Sequence, residues 1–75
     1  MPVICLIETG RNISALRVQR NMSVRELQEA FGFATPQAIY KWQQGASLPT
    51  IDNLAMLSYI FSVSIDEILV IEIAE

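Results

Sequence analysis

The stretch SVRELQEAFGFATPQAIYKWQQG, residues 23–45, predicts two short helices joined by a tight turn. Ser23 with a glutamate three residues later is a capping-box pattern, in which each side chain bonds the other residue's free backbone N–H. Thr35 followed by Pro36 fits the N-cap and first position of the second helix, where proline's missing N–H costs nothing. Gly32 can adopt the left-handed conformation that ends the first helix and turns the chain.

Each of the two predicted helices has one apolar stripe at helical spacing. The first stripe contains Val24, Leu27, Ala30 and Phe31, and the second contains Ala38, Ile39 and Trp42. Two such helices bury their stripes together, so Trp42 is predicted to lie in the core. The other side of the second helix is then left in water, with Pro36, Gln37, Tyr40, Lys41 and Gln44. That side is rich in hydrogen-bond donors and acceptors and has no acid.

The rest of the chain adds three further helices. Thr9 or Asn12 is predicted to cap a first helix that runs to about Arg20, and Thr50 to cap a central helix with a broad apolar face. That face contains Ile51, Leu54, Ala55, Leu57, Ser58 and Phe61. Ser64 with a glutamate three residues later repeats the capping-box pattern before a short last helix. The predicted fold class is all-α, with five helices.

The two ends of the chain are the only strand-like segments. Residues 3–7 are five consecutive apolar residues, and residues 70–73 are rich in β-branched side chains. The first segment fits a buried strand, a segment buried by a partner, or a tail pressed against the core. Because an isolated strand leaves backbone donors unpaired, we expect the two segments to pair with each other or with copies in a second chain.

Length and charge limit the function classes. Residues 1–75 leave room for a single domain with a small core, and 52% hydrophobic residues predict a folded chain. The net charge of −3 by itself disfavours a nucleic-acid partner. However, residues 11–45 hold all five basic groups against two acidic ones, whereas residues 46–75 hold five acidic groups and no basic one. The positive charge is thus confined to the half that contains the predicted helix-turn-helix.

Several kinds of site are excluded by composition. The chain has no histidine and one cysteine, so neither a Ser/His/Asp or Cys/His catalytic system nor a Cys/His zinc site can be assembled within it. Neither glycine-rich phosphate-binding motif occurs. We therefore expect no enzyme activity, cofactor, metal or small-molecule ligand. Cys5 cannot form an internal disulfide, which predicts a cytoplasmic protein, and the short apolar start fits neither a signal peptide nor a membrane span.

Residues 23–45 resemble the helix-turn-helix of the lambda-repressor-like (Xre-type) DNA-binding regulators, which are compact five-helix domains. The resemblance covers about residues 11–70. Its further matching segments are Leu48-Pro49-Thr50, Asn53-Leu54 and residues 61–69 for the fourth and fifth helices, and residues 13–20 for the first. One departure is the turn at residues 32–35, which is one residue longer than the family's usual spacing. This implies an altered angle for the recognition helix, at about residues 36–44.

The resemblance implies double-stranded DNA as the partner and assigns contacts by position. Residues placed at base edges are Pro36, Gln37, Ala38 and Lys41. Residues placed at the sugar-phosphate backbone are Arg17, Ser23, Val24, Arg25, Thr35 and Gln44, and Tyr40 could join them through its hydroxyl. The Gln37 amide can donate and accept at adenine's N6 and N7, and Lys41 can reach guanine or a phosphate. Ala38 either touches a thymine methyl or packs beneath the turn, and Pro36 offers a base no polar group.

These features predict a sequence-specific DNA-binding transcriptional regulator. One such domain buries only about 600–1,000 Å² on DNA, so we expect a homodimer, with one or both terminal segments at its interface. The alternative is a protein-interaction module, such as an antitoxin or an adaptor, built on the same helix-turn-helix body. The net acidity and the small number of basic groups favour this alternative.

Overall fold

The computed structural model describes residues 1–73 and contains five helices and two short strands in that part of the chain. Their order is β1 (Pro2–Ile4), α1 (Leu6–Gln19), α2 (Val24–Phe31), α3 (Gln37–Gln44), α4 (Ile51–Phe61), α5 (Ile65–Ile68) and β2 (Ile71–Ile73). The predicted five-helix class with β segments at the ends is confirmed. Within residues 1–73, no helix combines the length and the apolar character needed to cross a membrane.

Most helix ends form where the local sequence predicts them. The Ser23 hydroxyl oxygen accepts from the Glu26 backbone N–H, and the Glu26 carboxylate accepts from the Ser23 N–H, both at 3.0 Å. Thr50 caps α4 by accepting from the Asn53 N–H at 3.2 Å. Gly32 ends α2 with a φ of 70°, in the left-handed region. These bonds satisfy backbone groups that a helix terminus leaves without partners.

The predicted Thr35 cap is wrong. α3 begins at Gln37, with Pro36 in the N-cap position and no side chain capping the helix. Pro36 has a ψ of 5°, in the bridge region and outside the helical region, so regular helix starts one residue later than predicted. The backbone closes the first turn instead, because the Tyr40 N–H donates to the Pro36 carbonyl oxygen at 3.1 Å.

The start of α1 is also earlier than predicted, and the two polar residues predicted to cap it bond distant partners instead. Cys5 occupies the N-cap, so the apolar run of residues 3–7 is divided between β1 and the helix. Thr9 is 1% exposed, and its hydroxyl oxygen accepts from the Val70 N–H at 3.0 Å. The Asn12 side-chain amide donates to the Ile68 carbonyl oxygen at 3.1 Å. Neither residue is a cap; both attach the C-terminal segment to the middle of α1.

The two terminal strands pair antiparallel within one chain. The facing residues are Pro2 with Ile73, Val3 with Glu72, and Ile4 with Ile71. The Cys5 N–H extends the pairing by donating to the Val70 carbonyl oxygen at 2.8 Å. Of the arrangements that the sequence left open, intrachain pairing is therefore the one formed. All six paired residues are exposed, so this sheet lies outside the core.

The core takes one side of each helix. Its buried apolar residues are Ile13, Leu27, Ile39, Trp42, Leu54, Leu57, Phe61 and Ile68. The predicted burial of Trp42 is confirmed, at 4% exposed. Three residues predicted to face inward are exposed instead: Ala30, Ile51 and Ala55. Ile51, in the first turn of α4, is 80% exposed.

Candidate DNA-binding surface

α3 has one buried side and one polar side. Ile39 and Trp42 are buried on the inner side. The outer side exposes Gln37, Tyr40, Lys41 and Gln44. No acidic residue lies in this helix, and Gly45 ends it with a φ of 75°. The sidedness predicted from the spacing of the apolar residues is confirmed, and the helix presents neutral hydrogen-bonding groups and one positive charge to solvent.

The turn before α3 is held by aromatic packing. The Phe33 ring stacks on the Phe31 ring with centroids 5.0 Å apart, and both meet the Trp42 ring edge-on at 5.9 and 5.4 Å. The Gln28 side-chain amide donates to the Phe33 carbonyl oxygen at 3.1 Å. Such aromatic pairs stabilise beyond the area that they bury. Phe33 thus anchors the turn between α2 and α3. This role was not predicted, although a large aromatic residue directly after Gly32 was a sign of it in the sequence.

The four predicted base-reading residues are not equally accessible. Gln37 and Lys41 are exposed and lie one helical turn apart on the same side of α3. Pro36 is half-buried in the N-cap position. Ala38 is half-buried and packs against the core. The structure therefore places Gln37 and Lys41 together on the outer side of α3, whereas Pro36 and Ala38 are less accessible to solvent.

The predicted backbone-contacting residues at the start of α2 are mostly exposed. Ser23 and Arg25 face solvent, while Val24 is half-buried against the core. The Arg25 side chain is 86% exposed and lies 3.4 Å from the Glu29 carboxylate. In the capping box, hydrogen bonds from the Ser23 backbone N–H and side chain lower the pKa of Glu26. This end of α2 therefore carries both a fixed negative charge and an arginine.

Arg17 differs from the other predicted backbone contacts because its side chain is half-buried and hydrogen-bonded to α3 and to the loop before α2. Its Nε–H donates to the Gln43 side-chain oxygen at 2.9 Å, and its Nη1–H donates to the Met22 carbonyl oxygen at 2.7 Å. Gln43 belongs to α3, and Met22 directly precedes the Ser23 cap of α2. One guanidinium therefore joins the last turn of α1 to α3 and to the loop that leads into α2.

Comparison with known proteins places this arrangement in a family. The family model described as helix-turn-helix matches residues 13–68. The HTH-type transcriptional activator BcrR of Enterococcus faecalis is 33% identical over 63 residues, which are 84% of this chain. The chain spans 30% of the length of that relative.

Solved structures agree on the fold. One structure of the S. venezulae BldD DNA-binding domain superimposes with a TM-score of 0.74 and 21% identity, over 88% of this chain and 97% of that one. A crystal structure of the DNA-binding domain of BldD gives the same score and identity over 88% of this chain and 94% of its own. The family match over residues 13–68 and the 33% identity to BcrR lead to one conclusion: the chain belongs to the lambda-repressor-like (Xre-type) helix-turn-helix family.

Proposed function

We propose that the chain is a sequence-specific DNA-binding transcriptional regulator whose recognition helix, α3, enters the major groove. The observation that carries the proposal is the outer side of α3, which exposes Gln37, Tyr40, Lys41 and Gln44 and has no carboxylate. The opposite side of the helix is buried in the core, so its polar side is rigidly presented. Helix-turn-helix proteins read bases with the second helix of the motif, and α3 is that helix.

Within this proposal, Gln37 and Lys41 read bases directly. A glutamine amide matches the donor and acceptor of adenine in the major groove, and a lysine matches the two acceptors of guanine. Pro36 and Ala38, which are half-buried, make only apolar contacts, such as Ala38 with a thymine methyl. The helix start would then read fewer bases through hydrogen bonds than a helix with two polar residues at these positions.

In this proposal, the DNA backbone contacts groups along the outer side of α3, in the turn before it and at the start of α2. Tyr40, Gln44 and Thr35 are exposed along α3 and its approach and can donate to phosphate oxygens through their hydroxyl or amide groups. At the start of α2, Val24 and Arg25 offer backbone N–H groups, Arg25 also offers its guanidinium, and Ser23 offers its hydroxyl. Such contacts fix the register of the protein on DNA and carry no base information.

Charge distribution supports the proposal better than net charge does. Residues 11–45 carry five basic and two acidic groups, although the whole chain is at −3. Among residues 1–73, Lys41 on the outer side of α3 makes no ion pair. Its charge is therefore available to neutralise a phosphate and to release counterions, which makes DNA binding favourable and salt-dependent.

The role in transcription is inferred from the BcrR relative, which is a transcriptional activator by name. A regulator of this kind works where the DNA is, so the proposal includes a cytoplasmic location. The chain spans 30% of that relative, and the proposal for this chain concerns the DNA-binding step.

We further propose that the regulator is a homodimer with the terminal sheet at its interface. Residues that face each other in a pair share one side of a sheet, and successive residues alternate. One side therefore carries Pro2, Ile4, Ile71 and Ile73. On this side Ile71 is 59% and Ile73 72% exposed, an apolar surface that a second copy could cover. Two-fold symmetry would then present two recognition helices to one DNA face about 34 Å apart.

Selection of bound sequences from random duplex DNA tests the proposed function. A DNA-binding regulator should enrich a motif, and its affinity should fall steeply as salt rises, because each phosphate contact releases counterions. The alternative, a protein-interaction module, is favoured by the exposed apolar residues of the terminal sheet. That module would enrich no motif, and its apolar interface would depend little on salt.

A further inference from the structure

The two-stranded terminal sheet is exposed on both of its sides. Val3 is 44% exposed on one side, and Ile71 and Ile73 are 59% and 72% exposed on the other. An isolated pair of strands is only marginally stable in water, and a third strand or packing against another element stabilises it. A second copy that covers the apolar side would still leave the outer edges of the two strands without partners.

The phase of the hydrogen bonds determines which backbone groups point outward from this sheet. In an antiparallel pair, residues that exchange backbone bonds with the facing strand alternate with residues that do not. Cys5 follows β1 in the same register and donates to the carbonyl oxygen of Val70 at 2.8 Å. Two residues further along each strand, Val3 and Glu72 therefore exchange bonds. The residues on either side of these two point their N–H and carbonyl groups away from the partner strand.

The two edges of the sheet differ in the donors that they offer. On the β1 edge the outward-pointing residues are Pro2 and Ile4, and proline has no N–H. On the β2 edge they are Ile71 and Ile73, each with an N–H and a carbonyl oxygen. No other backbone bond within residues 1–73 uses these four groups. The β2 edge therefore has the full set of groups that a further strand requires.

Glu72 disfavours a second copy at this edge. Within residues 1–73, the antiparallel register that uses all four groups pairs Ile71 of each copy with Ile73 of the other and sets the two Glu72 side chains face to face. Like charges directly opposite each other are destabilising, most of all in a pair without mutual hydrogen bonds, where side chains are closest. A shift toward the chain start needs Leu69, whose N–H already donates to the Ile65 carbonyl oxygen at 3.0 Å.

Charge indicates which residue fits opposite Glu72. This glutamate is exposed and makes no ion pair among residues 1–73. Residues 46–75 contain five acidic groups and no basic one, so the C-terminal part of the chain supplies no cation for it. A lysine or arginine on an added strand would make a favourable cross-strand pair. The neighbouring positions of that strand lie on the other side of the sheet, beside Ile71 and Ile73, where apolar residues fit.

We propose that the outer edge of β2 binds an extended segment of another protein, in which a lysine or arginine lies between two apolar residues. The segment adds a third, antiparallel strand: its backbone bonds Ile71 and Ile73, and its basic side chain faces Glu72. Strand addition of this kind takes its affinity from main-chain bonds and its specificity from alternate side chains. The surface is separate from α3, so the inference does not depend on DNA binding.

A synthetic peptide with blocked ends, Ser-Thr-Val-Lys-Val-Thr-Ser, tests this edge directly. It should shift the NMR signals of the Ile71 and Ile73 amides and slow their hydrogen exchange, because those N–H groups become bonded. Methylation of both valine nitrogens should weaken binding at least about 10-fold, since two main-chain bonds are lost. Methylation of the lysine nitrogen is the matched control and should not weaken binding, because that N–H points away from β2.

Exchange of charges tests the role of Glu72. Glu72→Lys should weaken binding of the lysine peptide about 2- to 30-fold, because a favourable cross-strand pair becomes a repulsive one. The same variant should prefer a peptide with glutamate in place of the lysine. Asp52→Lys, a change of the same charge at an exposed position of α4, is the matched control. It should leave the preference for the lysine peptide unchanged.

Proline substitutions distinguish the two edges. Ile71→Pro removes an outward N–H but keeps the bonds between the strands, which run through Glu72, and it should abolish peptide binding. Ile4→Pro, the same change on the β1 edge, should leave binding intact. Thermal melting shows whether each variant is folded. If Ile71→Pro does not fold, the methylated peptides and Glu72→Lys still decide the question.

Three results would overturn the inference. They are a folded wild type that does not bind the lysine peptide, equal binding of the two methylated peptides, and wild-type self-association that Ile71→Pro abolishes. The last result would mean that a second copy occupies the edge. Selection of a DNA motif by the wild type is independent of all three, so the proposed function stands or falls separately.

Discussion

The Cα of Gly10 in α1 lies directly against the backbone carbonyl oxygen of Trp42 in the last turn of α3. A Cβ at position 10 would lie 2.7 Å from the Gln43 carbonyl oxygen and closer still to that of Trp42. Backbone carbonyls in a helix cannot move independently of it. The last turn of α3 therefore rests on the backbone of α1, and Gly10 is what permits this close approach.

Gly10→Ala should therefore destabilise the protein by about 1–3 kcal/mol, the usual cost of overpacking a well-packed site. Helix propensity alone predicts the opposite sign, because alanine is favoured over glycine within a helix by roughly 1 kcal/mol. Urea unfolding measures the difference. Gln19→Ala, at an exposed position of α1, is the control. A more stable Gly10→Ala variant would contradict the close contact between α1 and α3.

Trp42→Ala should cost roughly 3–5 kcal/mol of unfolding free energy, because a buried aromatic ring is removed from the core. The substitution also removes the contacts of the Trp42 ring with the Phe31 and Phe33 rings. The matched control is Tyr40→Ala, an aromatic truncation on the same helix at a residue that is 45% exposed. Thermal melting compares the two, and equal melting temperatures would show that α3 faces the other way.

Gln37→Ala should relax base preference and weaken binding to the preferred site by about 1–3 kcal/mol, because a two-point contact with a base is lost. Folding should be unaffected, since the side chain is exposed. Gln44→Ala, at the other end of the same side of α3, should weaken binding to all sequences alike. Competition binding with single-base variants of the selected site measures both. An unchanged preference in Gln37→Ala would mean that α3 does not dock as proposed.

The Glu26 cap should make stability depend on pH. Hydrogen bonds from the backbone N–H and side chain of Ser23 lower the pKa of Glu26 in the folded protein. The folded state therefore favours the charged carboxylate, and this contribution is complete above the unfolded pKa and is lost as the pH falls through the lowered folded-state pKa. Wild type should exceed Glu26→Gln in stability at neutral pH, and the difference should disappear in acid. Denaturation over a pH series tests this, and a constant difference would contradict it.

Ile73→Glu should weaken the proposed homodimer without lowering the stability of the monomer. Ile73 is 72% exposed in the single chain, so the added charge is solvated in the monomer and buried only if a second copy covers the sheet. Sedimentation equilibrium measures the association. Ile51→Glu, at an 80% exposed isoleucine on α4, is the comparison. Loss of the dimer in Ile51→Glu alone would place the interface on α4. A monomeric wild type would contradict the proposed homodimer.

Local chemistry was enough to predict most of the scaffold. The caps at Ser23 and Thr50 each use a partner three residues away, and Gly32 acts within its own turn. The inward orientation of Trp42 follows from helical periodicity alone. The exposed side of α3, with Gln37 and Lys41 a turn apart, was predicted for the same reason. The contacts of these residues with DNA stay predictions, because they involve a second molecule.

The tertiary structure decided what depends on distant residues. Thr9 and Asn12 resembled caps in the sequence, yet their partners lie 61 and 56 residues away. The Arg17 bond to Gln43 spans 26 residues, and the terminal strands could equally have paired with another chain. In each case one side chain or strand had both a local and a distant way to satisfy the same hydrogen-bonding groups. Only packing of the whole chain around one core brings the distant partner within 3 Å or so, which is why residue spacing could not select it.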